Sequence, residues 1–234
     1  MIREDNSNSR ETVQFNKMIN TPVWKLITKL AVPTVISMLI TGIYNMADTY
    51  FVSKLGTEAS AAVGIMFPIM NIIQAFGFTL GMGSSSLISR KLGERKDKEA
   101  SVIASVAFVG AIVLGLIILF ICLPFKSGIM RLVGASETIL PFANDYSTFI
   151  LLGAPFMCAS FVLNNVLRSE GKATSSMIAL TTGGILNIFL DPLFIFTFGL
   201  GINGAAIATF ICQITSFLIL LSFFVRRKTI CTIN

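Results

Sequence analysis

The chain has 234 residues, of which 54% are hydrophobic and 13% charged, and a net charge of +6, with mean hydropathy +0.80. A soluble domain carries about 25% charged residues. There is too little polar sequence here to cover one, and the positive excess reads as membrane topology rather than nucleic-acid binding. Histidine is absent, which excludes imidazole metal sites, histidine-based triads and histidine proton relays.

The first 20 residues are polar, rich in Asn, Ser and charge. They lack the short apolar core and cleavage site of a secretory signal and read as a cytoplasmic tail, 1–20. Thr21-Pro22 reads as a helix start, with Thr as N-cap and Pro in the first helical position. A six-helix transmembrane unit is expected over 21–228, with 229–234 as a short C-terminal end. Six apolar stretches reach the roughly 20 residues needed to span a bilayer: 26–50, 59–86, 101–123, 146–167, 177–198 and 205–225. The fold class is therefore an all-α membrane protein, a six-transmembrane-helix bundle.

The connectors are short, which predicts antiparallel neighbours in one bundle with no dividing linker. The longest, Pro124–Asp145, contains Phe125, Ile129, Met130 and Leu132 and predicts a short interfacial helix. Counting Lys and Arg by connector gives the orientation. One side receives Arg3, Arg10, Lys17, Lys25, Arg90, Lys91, Arg95, Lys96, Lys98, Arg168, Lys172, Arg226, Arg227 and Lys228, fourteen in all. The other receives three, Lys54, Lys126 and Arg131; Lys29 lies inside the first span. The positive-inside rule then predicts a multi-pass protein of the cytoplasmic membrane with both termini cytoplasmic. Four cysteines, Cys122, Cys158, Cys212 and Cys231, have neither metal spacing nor a secreted disulfide pattern and read as small packing residues.

Of the twelve acids, only Asp48 and Asp191 lie inside apolar segments. A charged side chain at mid-bilayer costs roughly 2.5–3.5 kcal/mol on insertion scales, so such a residue points to a cation or proton site within the bundle. Ser37, Thr41, Tyr44 and Asp48 follow an i, i+4, i+7, i+11 pattern and share one face of the first helix. Asn187 and Asp191 lie four apart in the fifth, Thr209, Gln213 and Ser216 on one face of the sixth, and Asn164 and Asn165 in the fourth. Lipid satisfies none of these groups, so the stripes should face inward. For Ser37, Thr41, Gln213 and Ser216 the plainer reading is glue between helices. If Asp48 and Asp191 converge, their charges repel, and a proton or a Na⁺ relieves the repulsion. Asn187 and Thr209 could complete a Na⁺ shell, because hard cations take oxygen ligands. Pro33 in the first helix and Pro192 beside Asp191 are bend points, Pro33 as a hinge. Gly77, Gly81 and Gly83 read as close-packing positions. Asp48, Phe51 and Gly56 are echoed by Asp191, Phe194 and Gly199, a spacing that chance and duplication explain equally. No nucleophile–base pair, metal cluster or phosphate loop is visible, so the chain does not read as an enzyme, and no cofactor is implied.

The stretch KLAVPTVISMLITGIYNMADTYFVSKLG resembles the first helix of the multidrug and toxic compound extrusion (MATE) family. LRSEGKATSSMIALTTGGILNIFLDPLFIF, followed by GINGAAIAT, resembles its fourth-to-sixth-helix region, so the resemblance covers about residues 21–228. It implies efflux of drug-like small molecules by Na⁺ or H⁺ antiport, with the cation site in the N-terminal lobe. Carried over, the helix-one acid falls on Asp48 with Tyr44 a turn earlier, the helix-five pair on Asn187 and Asp191, and the helix-six hydroxyl on Thr209. A supporting polar network falls on Tyr146 and Asn164, and the bend proline on Pro33. The family has twelve helices in two lobes related by an axis along the membrane normal; this chain has six. It is expected either to be the N-terminal lobe of a longer protein, with 229–234 in the inter-lobe loop, or to pair with a second copy. Two alternatives stand beside it. One is a lipid or polysaccharide flippase of the same superfamily, disfavoured because no arginine lies inside the predicted spans and only Lys29 is near a helix end. The other is a non-transporting membrane scaffold or fragment.

Overall fold

The computed structural model describes residues 21–226 and 229–231. The expected tail over 1–20, the charges on Arg3, Arg10, Lys17, Arg227 and Lys228, and residues 232–234 lie outside them. Among the described residues there are six helices long and apolar enough to cross a membrane, and no strand. They are α1 (Val23–Ser53), α2 (Thr57–Gly93), α3 (Asp97–Cys122), α5 (Leu140–Ser169), α6 (Ala173–Pro192), which runs on into a π-helical turn over Leu193–Thr197, and α7 (Gly201–Val225). The short α4 (Lys126–Val133) occupies the long connector where an interfacial helix is expected.

The helices outrun the apolar stretches. α1 has 31 residues and α2 has 37, which at 1.5 Å per residue is about 46 and 56 Å against a hydrocarbon core of about 30 Å. The polar ends keep forming helical turns beyond the apolar runs. Thr21 and Pro22 sit one residue off their expected places. Pro22 itself is the cap residue, with ψ 134°, and its carbonyl accepts the Lys25 and Leu26 N–H groups at 3.0 and 3.1 Å. Its extended backbone holds it outside the first turn.

α5 is the centre of the bundle, packed on α2, α3 and α7; most of its residues are buried, whereas α1 buries only Ser37, Asp48 and Val52. α1 leans chiefly on α6 and leaves Val32, Val35, Leu39 and Ile43 exposed. α3 buries a stripe of small residues, Ala100, Ala104, Ala107, Ala111 and Gly115, which lets backbones approach closely. Gly77 and Gly81 of α2 lie against Phe161 and Asn165 of α5, so that a Cβ would fall 3.0 and 2.7 Å from their atoms. Gly83 has nothing within 4 Å and is not a packing position. On the Lys126 side, Lys126 Nζ donates to Thr148 Oγ1 at 2.7 Å and Arg131 pairs with Glu137 at 3.1 Å. In the α2–α3 connector, Lys96 and Lys91 hold the exposed Glu94 carboxyl below the usual carboxylate range, chiefly through the Lys96 hydrogen bond.

Candidate functional site

α1, α2, α5, α6 and α7 enclose a cavity of about 260 Å³. One wall is the polar face of α1: Ser37, Thr41, Tyr44 and Asp48 all line it, as their spacing requires. The hydroxyls of Ser37 and Thr41, however, donate to Pro33 and Ser37 carbonyls of their own helix, both at 2.9 Å. They are therefore not glue between helices. A hydroxyl four residues after a carbonyl is already within reach of it, and this local bond wins over one across the bundle. Gln213 and Ser216 do cross between helices. Gln213 Nε2 reaches Met157 Sδ at 3.6 Å, and the two side chains sit against Gly153 of α5 and Gly183 of α6, where a Cβ would collide with them.

The two acids converge. Asp48 lies on the cavity wall, 7% exposed; Asp191 is fully buried, and their carboxyl groups are within hydrogen-bonding reach of each other. Asn187 Nδ2 donates to Asp191 Oδ1 at 3.0 Å. Tyr146 and Thr209 lie together on the cavity lining, close to the Asp48 and Asp191 carboxyls. Asn164 and Tyr44 belong to the same polar lining. The expected residues Tyr44, Asp48, Tyr146, Asn164, Asn187 and Thr209 thus face one cavity, with Asp191 behind Asp48. Pro33 lies in the run of α1 below it, and α1 remains helical through it.

The unpaired atoms decide what this arrangement can do. Asp48 Oδ1, Asp191 Oδ2 and Asn187 Oδ1 are buried with no hydrogen-bond partner among the described residues. A buried polar atom left unpaired costs about 1–3 kcal/mol, more if charged. As carboxylate and amide oxygens these three accept, so their complement is a proton or a hard cation rather than a soft metal; Ser160 Oγ, Asn164 Nδ2 and Gln213 Oε1 on the same lining are likewise unpaired. Among the described residues no group of three His, Cys, Asp or Glu converges.

Several lining residues were not expected from sequence: Asn45, Gln74, Ser160, Arg168 and Cys212. Ser160, Asn164 and Arg168 are four apart on α5, a spacing that could have found them. Arg168 is a correction. Because α5 continues to Ser169, beyond the apolar run, an arginine does lie within a helix and on the cavity wall. The lining also includes two aromatic rings, Phe78 and Phe161, 4.4 Å apart. The expected bend after Asp191 takes a definite form. Pro192 ends the α-helical pattern and the next turn widens to a π turn, Phe198 N–H bonding Leu193 O at 3.0 Å.

Six helices long and apolar enough to span a bilayer, five of them lining a polar cavity, make this a polytopic all-α membrane protein. The chain belongs to the MatE family, whose model matches residues 33–193. It is 31% identical over 214 residues to the multidrug export protein MepA of Staphylococcus aureus, covering 91% of this chain and 48% of that protein. It is also 31% identical to MepA of Staphylococcus saprophyticus. It superposes with a TM-score of 0.88, at 36% identity, on an outward-facing multidrug resistance MATE family transporter of the MOP superfamily, over 93% of this chain and 49% of that one. It does so equally, at 0.88 and 36%, on a Pyrococcus furiosus MOP superfamily transporter described as having a binding pocket of reversed polarity that suggests a different function. The chain spans about half the length of the relatives it matches.

Proposed function

We propose that this chain is the N-terminal lobe of a cation-coupled multidrug efflux antiporter of the cell membrane. Asp48, Asn187, Asp191 and Thr209 form its Na⁺ or H⁺ site, Tyr44, Tyr146 and Asn164 support that site, and Pro33 is the hinge of α1. The observation that carries this reading is three unpaired buried oxygens on two neighbouring acids and Asn187. A second body, either the following lobe or another copy of the chain, closes the cavity. At about 260 Å³ it falls just below the roughly 300–1,000 Å³ of small-molecule sites, as half of a shared site would.

Melting of the purified chain against Na⁺ at constant ionic strength, and against pH, tests the site. A ligand at ten times its Kd stabilises by about 1.4 kcal/mol, or roughly 3–6 °C for a chain of this size. That rise is expected with one of the two ions, and a melting point indifferent to both rejects the cation site. Orientation has its own check: a reporter fused after Asn234 should read cytoplasmic, and an outside reading reverses the topology.

One observation favours the second reading, a flippase. Arg168 lines the cavity and could meet a phosphate-bearing headgroup, since guanidinium suits phosphate geometry. If drugs are the cargo, Arg168→Gln in the two-lobed transporter should leave drug export within about threefold. Loss of lipid translocation with no drug export in either form would select the flippase.

A further inference from the structure

We propose that the turn joining α5 and α6 is a latch for the chain beyond α7, in which the buried carboxylate of Glu170 grips residues 229–231 and fixes where that chain leaves the bundle.

Glu170 is fully buried, although it sits in a polar connector and is not among the cavity-lining residues. Both of its oxygens are used. Oε2 takes the Lys172 ammonium at 2.7 Å and the Ile230 N–H at 3.1 Å; Oε1 takes the Cys231 N–H at 2.8 Å. Those two donors come from 60 and 61 residues further along the chain. The gripped segment is closed on itself, with Thr229 Oγ1 donating to Cys231 O at 2.9 Å, and Thr229 and Cys231 are buried by the contact. Gly171, at φ +75°, lets the chain turn tightly between Glu170 and Lys172, a backbone shape that glycine adopts without strain. A carboxylate is buried at this depth only when charge and hydrogen bonds compensate it. Here the compensation includes two N–H groups of a segment that carries no cavity residue, so ordering that segment and burying Glu170 require each other.

The latch sits two residues from Arg168 on the cavity wall, at the end of the helix that also carries Tyr146 and Asn164. A movement of this end of α5 therefore moves the point from which the onward chain departs. This holds whether or not the cavity takes a cation.

Cys231 supplies the readout. Its thiol is buried, and burial together with the nearby Glu170 pushes its pKa up, so the latched thiol reacts slowly with a maleimide. Maleimide uptake at Cys231 would be followed by peptide mass spectrometry, in membranes containing the full chain. Glu170→Ala is expected to label at least tenfold faster than the native chain. Thr229→Val, which leaves every helix intact and so serves if Glu170→Ala folds poorly, is expected to label about threefold faster. Native Cys231 labelling as fast as in urea-unfolded chain, or a rate unchanged in the variants that fold, overturns the latch.

Discussion

Asparagine in place of either Asp48 or Asp191 is expected to abolish cation-driven drug export by the two-lobed transporter, lowering it at least tenfold. Asparagine keeps the size and much of the hydrogen bonding of the carboxyl and removes only its charge. The argument rests on what the charge is for. Two like charges about 4 Å apart repel by about 4 kcal/mol at an effective dielectric near 20, and placing a carboxylate at mid-bilayer costs a further 2.5–3.5 kcal/mol or so. Asp48 and Asp191 are nonetheless neighbours and largely buried, with oxygens left unpaired. A bound cation offsets both costs, and its departure restores them, which couples occupancy to how α1 and α6 pack. With one acid neutral, neither the repulsion nor its relief remains. Thr41→Val makes the contrast. The Thr41 hydroxyl already bonds its own helix at 2.9 Å, so its loss should change export less than twofold. Efflux of a fluorescent drug from cells, at matched expression, reads all three variants.

Gly115→Ala is expected to lower stability by about 1–3 kcal/mol, the usual cost of overpacking. A Cβ on Gly115 would strike Pro155, lying 2.8 Å from its ring nitrogen. The obstacle is backbone of the central helix and has no rotamer to escape into, so α3 must move off α5. Gly110 is a control one and a half turns away on the same helix, with nothing within 4 Å of a Cβ. Gly110→Ala should instead gain about 0.5–1 kcal/mol from helix propensity. Melting temperatures of the two variants in one detergent are expected to move in opposite directions, and equal shifts would discard the close α3–α5 contact.

The bundle was legible because bilayer-length apolar runs leave few alternatives. The convergence of Asp48 and Asp191 was legible for a similar reason, since an acid in such a run must face inward. Side-chain periodicity then placed Tyr44 and Asp48 on one wall. What sequence could not resolve were competitions settled by geometry. Ser37 and Thr41 have the composition of interhelical glue, yet a carbonyl one turn back captures each hydroxyl. α5 runs beyond its apolar stretch, which brings Arg168 to the cavity although hydropathy puts it outside. The π turn after Pro192 depends on how α7 packs, with Gly204 pressed against Phe194 so that a Cβ would fall 2.7 Å from its carbonyl. Glu170 falls in a short polar connector, and its burial depends on residues sixty positions away.

Difference infrared spectroscopy of the carboxyl bands addresses the shared cation site most directly. The purified chain would be titrated with Na⁺ at fixed pH and with acid at fixed Na⁺. One of the two titrations is expected to give the native chain a carboxyl band change beyond that of the ten other acids, and this extra change should vanish equally in Asp48→Asn and in Asp191→Asn. An extra change that survives in either variant would mean that the two acids do not hold one ion between them.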